Sequence, residues 1–147
     1  MRFHRSLLLG WALVVTLLTA AGFQQVSETA AVAMARGAKV TFSTVRGDKV
    51  THSQRARLLS LAVERGETPT PYLPAGAFRA QFDAVVTLPA RDRVKFRVDG
   101  RGKIKLSVNG KEVLAGRMRG REPLESEKAV RLKKGQNDLR VEFESGA

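Results

Sequence analysis

The side chains with chemistry to offer in this 147-residue chain are few and scattered. Its two histidines are His4, near the N-terminus, and His52, in a stretch that reads as a turn. Neither stands near a Ser, Asp or Glu in a nucleophile–base arrangement. Glu125 and Glu127 form a close pair of carboxylates, but their surroundings are polar and offer no apolar wall to raise a pKa for general-acid work. Asp92, Asp99 and Asp138 each fall at an expected turn, the place from which sandwich loops hold calcium. None has a neighbouring acid, so each reads as a cap on its own turn. Gly100-Arg101-Gly102 lacks the strand-to-helix context of a phosphate loop and reads as a turn inside a hairpin. There is no cysteine, hence no disulfide, thiolate metal site or covalently attached haem within these residues. These residue types point away from an enzyme and towards a surface that binds.

Charge narrows what it would bind. Twenty-six Lys and Arg against 14 Asp and Glu give a net charge of +12. Such an excess suits nucleic acid, anionic lipid or an anionic polymer. Lys95, Arg97, Lys103, Lys105, Arg131 and Arg140 fall at the polar positions of expected strands, where a wetted sheet face carries charge whatever it binds. Arg117-Met118-Arg119-Gly120-Arg121 is the one dense basic cluster and reads as an exposed loop. A nucleic-acid binder would show steep salt dependence and exposed stacking aromatics. Of one Trp, one Tyr and seven Phe, Trp11, Phe3 and Phe23 lie near the N-terminus, and Phe78, Phe82, Phe96 and Phe143 take inward positions. Few platforms are left, so nucleic-acid or anionic-polymer binding is the weaker alternative.

The elements that must carry these residues follow a leader-like segment. Met1–Arg5 is basic at Arg2 and Arg5, Ser6–Ala21 (SLLLGWALVVTLLTAA) is apolar or small throughout, and Ala20-Ala21-Gly22 offers a cleavage site. This is the three-part pattern of a secretory signal. Residues 1–23 are therefore expected as a hydrophobic export helix, either a cleaved signal peptide or an anchor that holds the chain to the membrane. The apolar run is at the short end of the roughly 17–25 residues that span a bilayer. The Lys/Arg bias places all that follows outside, in the periplasm or on the outer face of the cytoplasmic membrane. Residues 24–52 read as a tether, with a nascent helix at Glu28–Arg36, a candidate strand at Lys39–Val45 and a turn at Arg46-Gly47-Asp48. Ser53–Val63 fits a helix through Leu58, Leu59 and Ala62 or a strand through Leu59, Leu61 and Val63; its shortness favours extended structure. Thr68–Gly76 carries three prolines and reads as a stiff connector.

Three alternating runs fill the remainder. Ala77–Leu88 places Phe78, Ala80, Phe82, Ala84, Val86 and Leu88 on one face; Arg93–Asn109 and Val130–Phe143 repeat the pattern. Period-two alternation means strands with one face to bury, so residues 53–147 are expected to form an antiparallel β-sandwich or barrel. Asn109-Gly110, between Lys103–Val108 and Lys111–Leu114, predicts a type I′ hairpin. Gly116–Glu127 reads as a loop, and Lys133–Asp138 as a longer hairpin connection between Val130–Leu132 and Leu139–Phe143.

The wording of these runs resembles the PA14 superfamily of β-sandwich domains. The likeness lies in Phe78-Arg79-Ala80 opening a long strand, in Arg93–Val98 (RVKFRV), in the hairpin Ile104–Lys111 (IKLSVNGK), and in Val130–Gly135 leading to Leu139–Phe143. The upstream segment Arg57–Phe78 is similar to the PA14-like module that precedes c-type cytochrome domains in exported proteins of planctomycete-type bacteria. The resemblance covers Arg57 to the end of the sequence. It implies a non-enzymatic ligand-binding or scaffolding module whose loops, Asp99–Gly102, Asn109–Lys111 and Gly116–Glu127, contact a polysaccharide or a protein partner. Asp99, Arg101, Asn109, Lys111, Arg117, Arg119 and Arg121 are then the candidate contact residues. Sugar-binding members hold calcium and glycan with two adjacent aspartates; the comparable turn here has Asp99 alone, so the resemblance does not carry that site over. The family continues past its last matching strand, and the subgroup continues into a Cys-x-x-Cys-His domain. The resemblance thus implies the front part of a larger protein, with haem c in a downstream domain and no cofactor in this chain.

Overall fold

Alternation becomes a strand wherever one face has a core to meet and the other has water. Phe78–Leu88 shows this directly: its six even-numbered residues are buried, while Arg79, Val85 and Thr87 are exposed. The computed structural model describes residues 11–19, 37–46, 49–57, 59–63 and 67–145, and among these it forms strands and no helix. In chain order they are β1 (Trp11–Thr19), β2 (Ala38–Thr44), β3 (Thr51–Ala56), β4 (Ser60–Val63), β5 (Phe78–Leu88), β6 (Asp92–Asp99), β7 (Arg101–Val108), β8 (Lys111–Arg119), β9 (Leu124–Glu125), β10 (Val130–Leu132) and β11 (Gly135–Glu144). Two antiparallel sheets result. The six-stranded one is ordered β3-β2-β5-β11-β7-β8; the five-stranded one is ordered β10-β6-β1-β4, with β9 also on β6. A single apolar cluster draws Val94, Phe96, Val98 and Leu132 from the smaller sheet and Phe42, Phe82, Leu106, Leu139 and Val141 from the larger. Burying each such side chain is worth roughly 1.5–3 kcal/mol. The fold is all-β and sandwich-like.

Several connections differ from the expected hairpins. β5 and β6 lie in different sheets, and so do β6 and β7, and β10 and β11. Asp99–Gly102 is thus a corner where the chain passes between layers, and Lys133-Lys134 is another crossing, since Gly135–Asp138, expected as part of the connection, already pair with β5 as the start of β11. Alternation continues on both sides of a corner, so period alone does not reveal which sheet a strand joins. The β6–β7 corner runs tight against β11: Gly102 has φ 135°, and a Cβ on it would fall 2.5 Å from the Glu144 carbonyl oxygen. The hairpin at Asn109-Gly110 is as expected, with φ of 50° and 79° and Val108 opposite Lys111.

The expected loop at Gly116–Glu127 is half strand. β8 runs on to Arg119 with Met118 buried, and Leu124–Glu125 pairs with β6. Gly116 looked like a loop residue; instead it makes room for Leu124, whose Cδ2 would lie 2.9 Å from an added Cβ. Ser126 completes that pairing: its N–H donates to the Phe96 carbonyl at 2.8 Å, and its hydroxyl accepts the Phe96 N–H at 3.1 Å. The extended structure expected at Ser53–Val63 is divided, with residues 53–56 in β3 of one sheet and 60–63 in β4 of the other. His52 is a half-buried residue of β3 rather than a turn residue, and its ring stacks on Tyr72 at 4.3 Å.

The N-terminal segment departs furthest. Trp11–Thr19, expected within an export helix, lies as a strand between β6 and β4, with Trp11 opposite Val63 and Thr19 opposite Val94. A short apolar run without a polar face suits a helix or an interior strand equally, and periodicity cannot separate them. The candidate strand at Lys39–Val45 is β2, and with β3 it places Ala38–Thr44 and Thr51–Ala56 in the larger sheet, so the sheet begins ahead of the domain start expected at residue 53. The rest of the export segment, with His4, lies outside the described residues, as do the helix expected at Glu28–Arg36 and Gly47-Asp48 of the expected turn.

Candidate functional site: the outer face of the six-stranded sheet

Six paired strands of period two present rows of side chains to solvent, and the registers fix which residues share a row. One row runs Arg117, Lys103, Glu144, Arg79, Ser43, Thr51 from β8 to β3. The next runs Ala115, Lys105, Glu142, Gln81, Thr41, Ser53. A third contains Ser107, Arg140, Asp83, Lys39 and Arg55, and beyond the first Arg101 faces Arg119. Across the first two rows the face is hollowed. An open cavity of about 500 Å³ is lined by Thr41, Ser43, Arg79, Gln81, Lys103, Lys105, Glu142 and Glu144, with parts of Ala80, Ile104 and Phe143 at its floor.

Its charges are largely matched across strands. Arg79 Nε donates to Glu144 Oε2 at 2.9 Å, and Lys103 Nζ stands 3.6 Å from Glu144 Oε1. The Arg79 hydrogen bond, opposed by partial burial and aided by the Lys103 charge, holds the Glu144 carboxyl below its ordinary range. At Asp83, burial alone would raise the pKa. Hydrogen bonds from Gln81 Nε2 at 2.8 Å and Arg140 Nε at 2.7 Å outweigh it, and Asp83 also ends below its usual value. Lys105 Nζ reaches Glu112 Oε2 at 3.5 Å, and the Thr41 and Ser53 hydroxyls meet at 3.0 Å. Carboxylates so engaged stay ionised and are poorly placed to shuttle protons. The hydroxyl, amide and guanidinium groups around them offer donors and acceptors to a polyhydroxylated ligand. Among the described residues, no group of three or more His, Asp or Glu could hold a metal ion.

The residues expected as loop contacts separate into two places. Asn109 and Lys111 sit at one end of the β7–β8 hairpin; Asp99, Arg101, Arg117, Arg119 and Arg121 gather around the other, about 20–27 Å away at strand rise. Asn109 is a brace. Its Nδ2 donates to Asn137 Oδ1 at 3.0 Å, its Oδ1 accepts the Asp138 N–H at 3.0 Å, and its own N–H donates to the Asp138 carbonyl at 2.8 Å. Asp99 lies 3.4 Å from Arg97 Nε, and Arg97 also reaches towards Glu125. Arg117 and Arg119, expected in a loop, are exposed strand residues of β8, and Arg121 follows in the turn. Arg79, Gln81, Glu142, Glu144, Thr41 and Ser43 were missed as site residues. Their outward positions were legible, but nothing in the chain announced that β11 would lie between β5 and β7. No family model matches this chain, and no curated protein is significantly similar to it.

Proposed function

We propose that the chain is an exported, non-enzymatic recognition module of PA14-like type whose binding surface is the outer face of the six-stranded sheet and whose ligand is a polysaccharide. The observation that carries this reading is the open hollow of about 500 Å³, where the Thr41, Ser43 and Gln81 side chains stand beside ion-paired Arg79, Lys103 and Glu144. Hydroxyl and amide groups suit sugar hydroxyls, and charges already held in place need no reordering when a ligand arrives. The face replaces the loop tips as the surface, because Asn109 is engaged internally. Export rests on Arg2, Arg5 and the apolar run that follows, and places the module outside the cytoplasmic membrane.

The test is a binding screen of the full chain against neutral and acidic glycans, with and without calcium, repeated on Ser43→Ala/Gln81→Ala. The double variant should lose roughly tenfold or more in affinity with an unchanged circular dichroism spectrum. Glycan binding that survives it undiminished would move the site elsewhere. Binding that requires calcium would contradict a site built from this face.

A further inference from the structure

We infer that the β7–β8 side of this face is an anion-binding surface, and that its ligand is an acidic polysaccharide bearing carboxylate or sulfate groups; the inference rests on the recognition reading above and names its ligand class. Like charges directly opposed across a ladder weaken it. Yet β7 and β8 set Arg101 opposite Arg119, and Lys103 opposite Arg117. Much of the remaining charge on the face is matched, Arg79 and Lys103 to Glu144, Arg140 to Asp83 and Lys105 to Glu112, while Lys39 faces Arg55 on β2 and β3. Arg117 and Arg119 are exposed and form no ion pair among the described residues. The cluster is also held in shape. Gly120, at φ 75°, lies against the Arg101 side chain so closely that a Cβ there would come 2.6 Å from Arg101 Nε. Guanidinium groups present forked donors that match a carboxylate or a sulfate.

From the arginines, the rows lead along the hollow to Gln81, Thr41 and Ser43. The distance from β8 to β2 is four inter-strand steps, about 19 Å. A chain polymer whose acidic group rests on the arginines and whose hydroxyls run along the hollow matches both ends of this path. Nucleic acid matches one end only. Among the residues whose side chains are described, the exposed aromatic ring is Tyr72, stacked on His52 of β3 at the edge of the sheet opposite the arginines.

The full chain is titrated calorimetrically with polygalacturonate, dextran sulfate, uncharged dextran and an oligothymidylate. Arg117→Ser/Arg119→Ser and the charge-preserving Arg117→Lys/Arg119→Lys are measured beside it, with circular dichroism confirming the fold of each. The acidic polysaccharides should bind at least about tenfold more tightly than dextran. That advantage should shrink between about 50 and 200 mM salt. It should vanish in the serine variant and survive in part in the lysine variant. Acidic binding untouched by the serine variant, or a preference for dextran, overturns the inference and leaves the recognition face standing. An oligothymidylate bound more tightly than either acidic polysaccharide overturns it in favour of nucleic acid. Silence from all four probes overturns it together with the recognition reading.

Discussion

Asn137 is fully buried, and its amide answers the polar groups around it. Oδ1 accepts from the Lys133 N–H at 3.0 Å and from Asn109 Nδ2 at 3.0 Å; Nδ2 donates to the carbonyls of Lys133 at 2.9 Å and Gly135 at 3.2 Å. One side chain therefore ties the β10–β11 crossing to the β7–β8 hairpin. Asn137→Ala leaves several of these groups without partners in a space closed to water, and should cost about 3 kcal/mol in urea unfolding. A loss under about 1 kcal/mol would show that water or relaxation replaces the network. The sequence could not separate Asn137 from Asn109. Asn109 precedes Gly110 and Asn137 follows Gly135 by two residues, both in turn-like strings, and an asparagine there serves equally to bind a ligand, to close a turn or to brace a neighbour. Only the partner decides, and the partners are 28 residues apart.

Strands were the most legible part of this chain, and their assembly the least. Phe78–Leu88 becomes β5 with the burial its alternation demands, and Asn109-Gly110 closes the hairpin its conformational freedom allows. Alternation says which face of a strand is wet but not whose wet face lies beside it, so the rows of the candidate site stayed hidden until β11 was placed. The ladder joining β5 and β11 carries two of the cross-strand ion pairs, Arg140 with Asp83 and Arg79 with Glu144. Both carboxyls sit below their ordinary pKa values of 3.8 and 4.5. A carboxyl depressed by folding stabilises the fold fully above its unfolded pKa and loses that contribution as pH falls through the folded value. The urea midpoint should thus fall between about pH 6 and about pH 3, and Asp83→Asn/Glu144→Gln should reduce that fall. Both pairs are partly exposed, so the reduction is modest. An undiminished fall in the double variant would assign the acid sensitivity to other groups.

At the level of the molecule, the five-stranded sheet depends on the N-terminal segment. β1 pairs with β6 from Val94 to Asp99 and gives β4 its partner. A chain beginning at Phe23 would leave the edge of β6 bare beside the fully buried Phe96 and Val98. Such a chain should unfold at lower urea, bind a hydrophobic dye and self-associate through the open edge. An unchanged midpoint without dye binding would show that the sheet closes without β1. The basic start, the apolar run and the small residues after it read as a leader, while the place of Trp11–Thr19 in a sheet was not legible, because an unbroken apolar run carries no period to betray a strand. The proposed leader role and the place in the sheet would make claims on the same nine residues at different moments. Were a secretion channel or a bilayer to hold them, β4 and β6 would wait unjoined, and the protein would stay short of its final form. Passage across the membrane would then precede maturation, with release of the leader setting the clock.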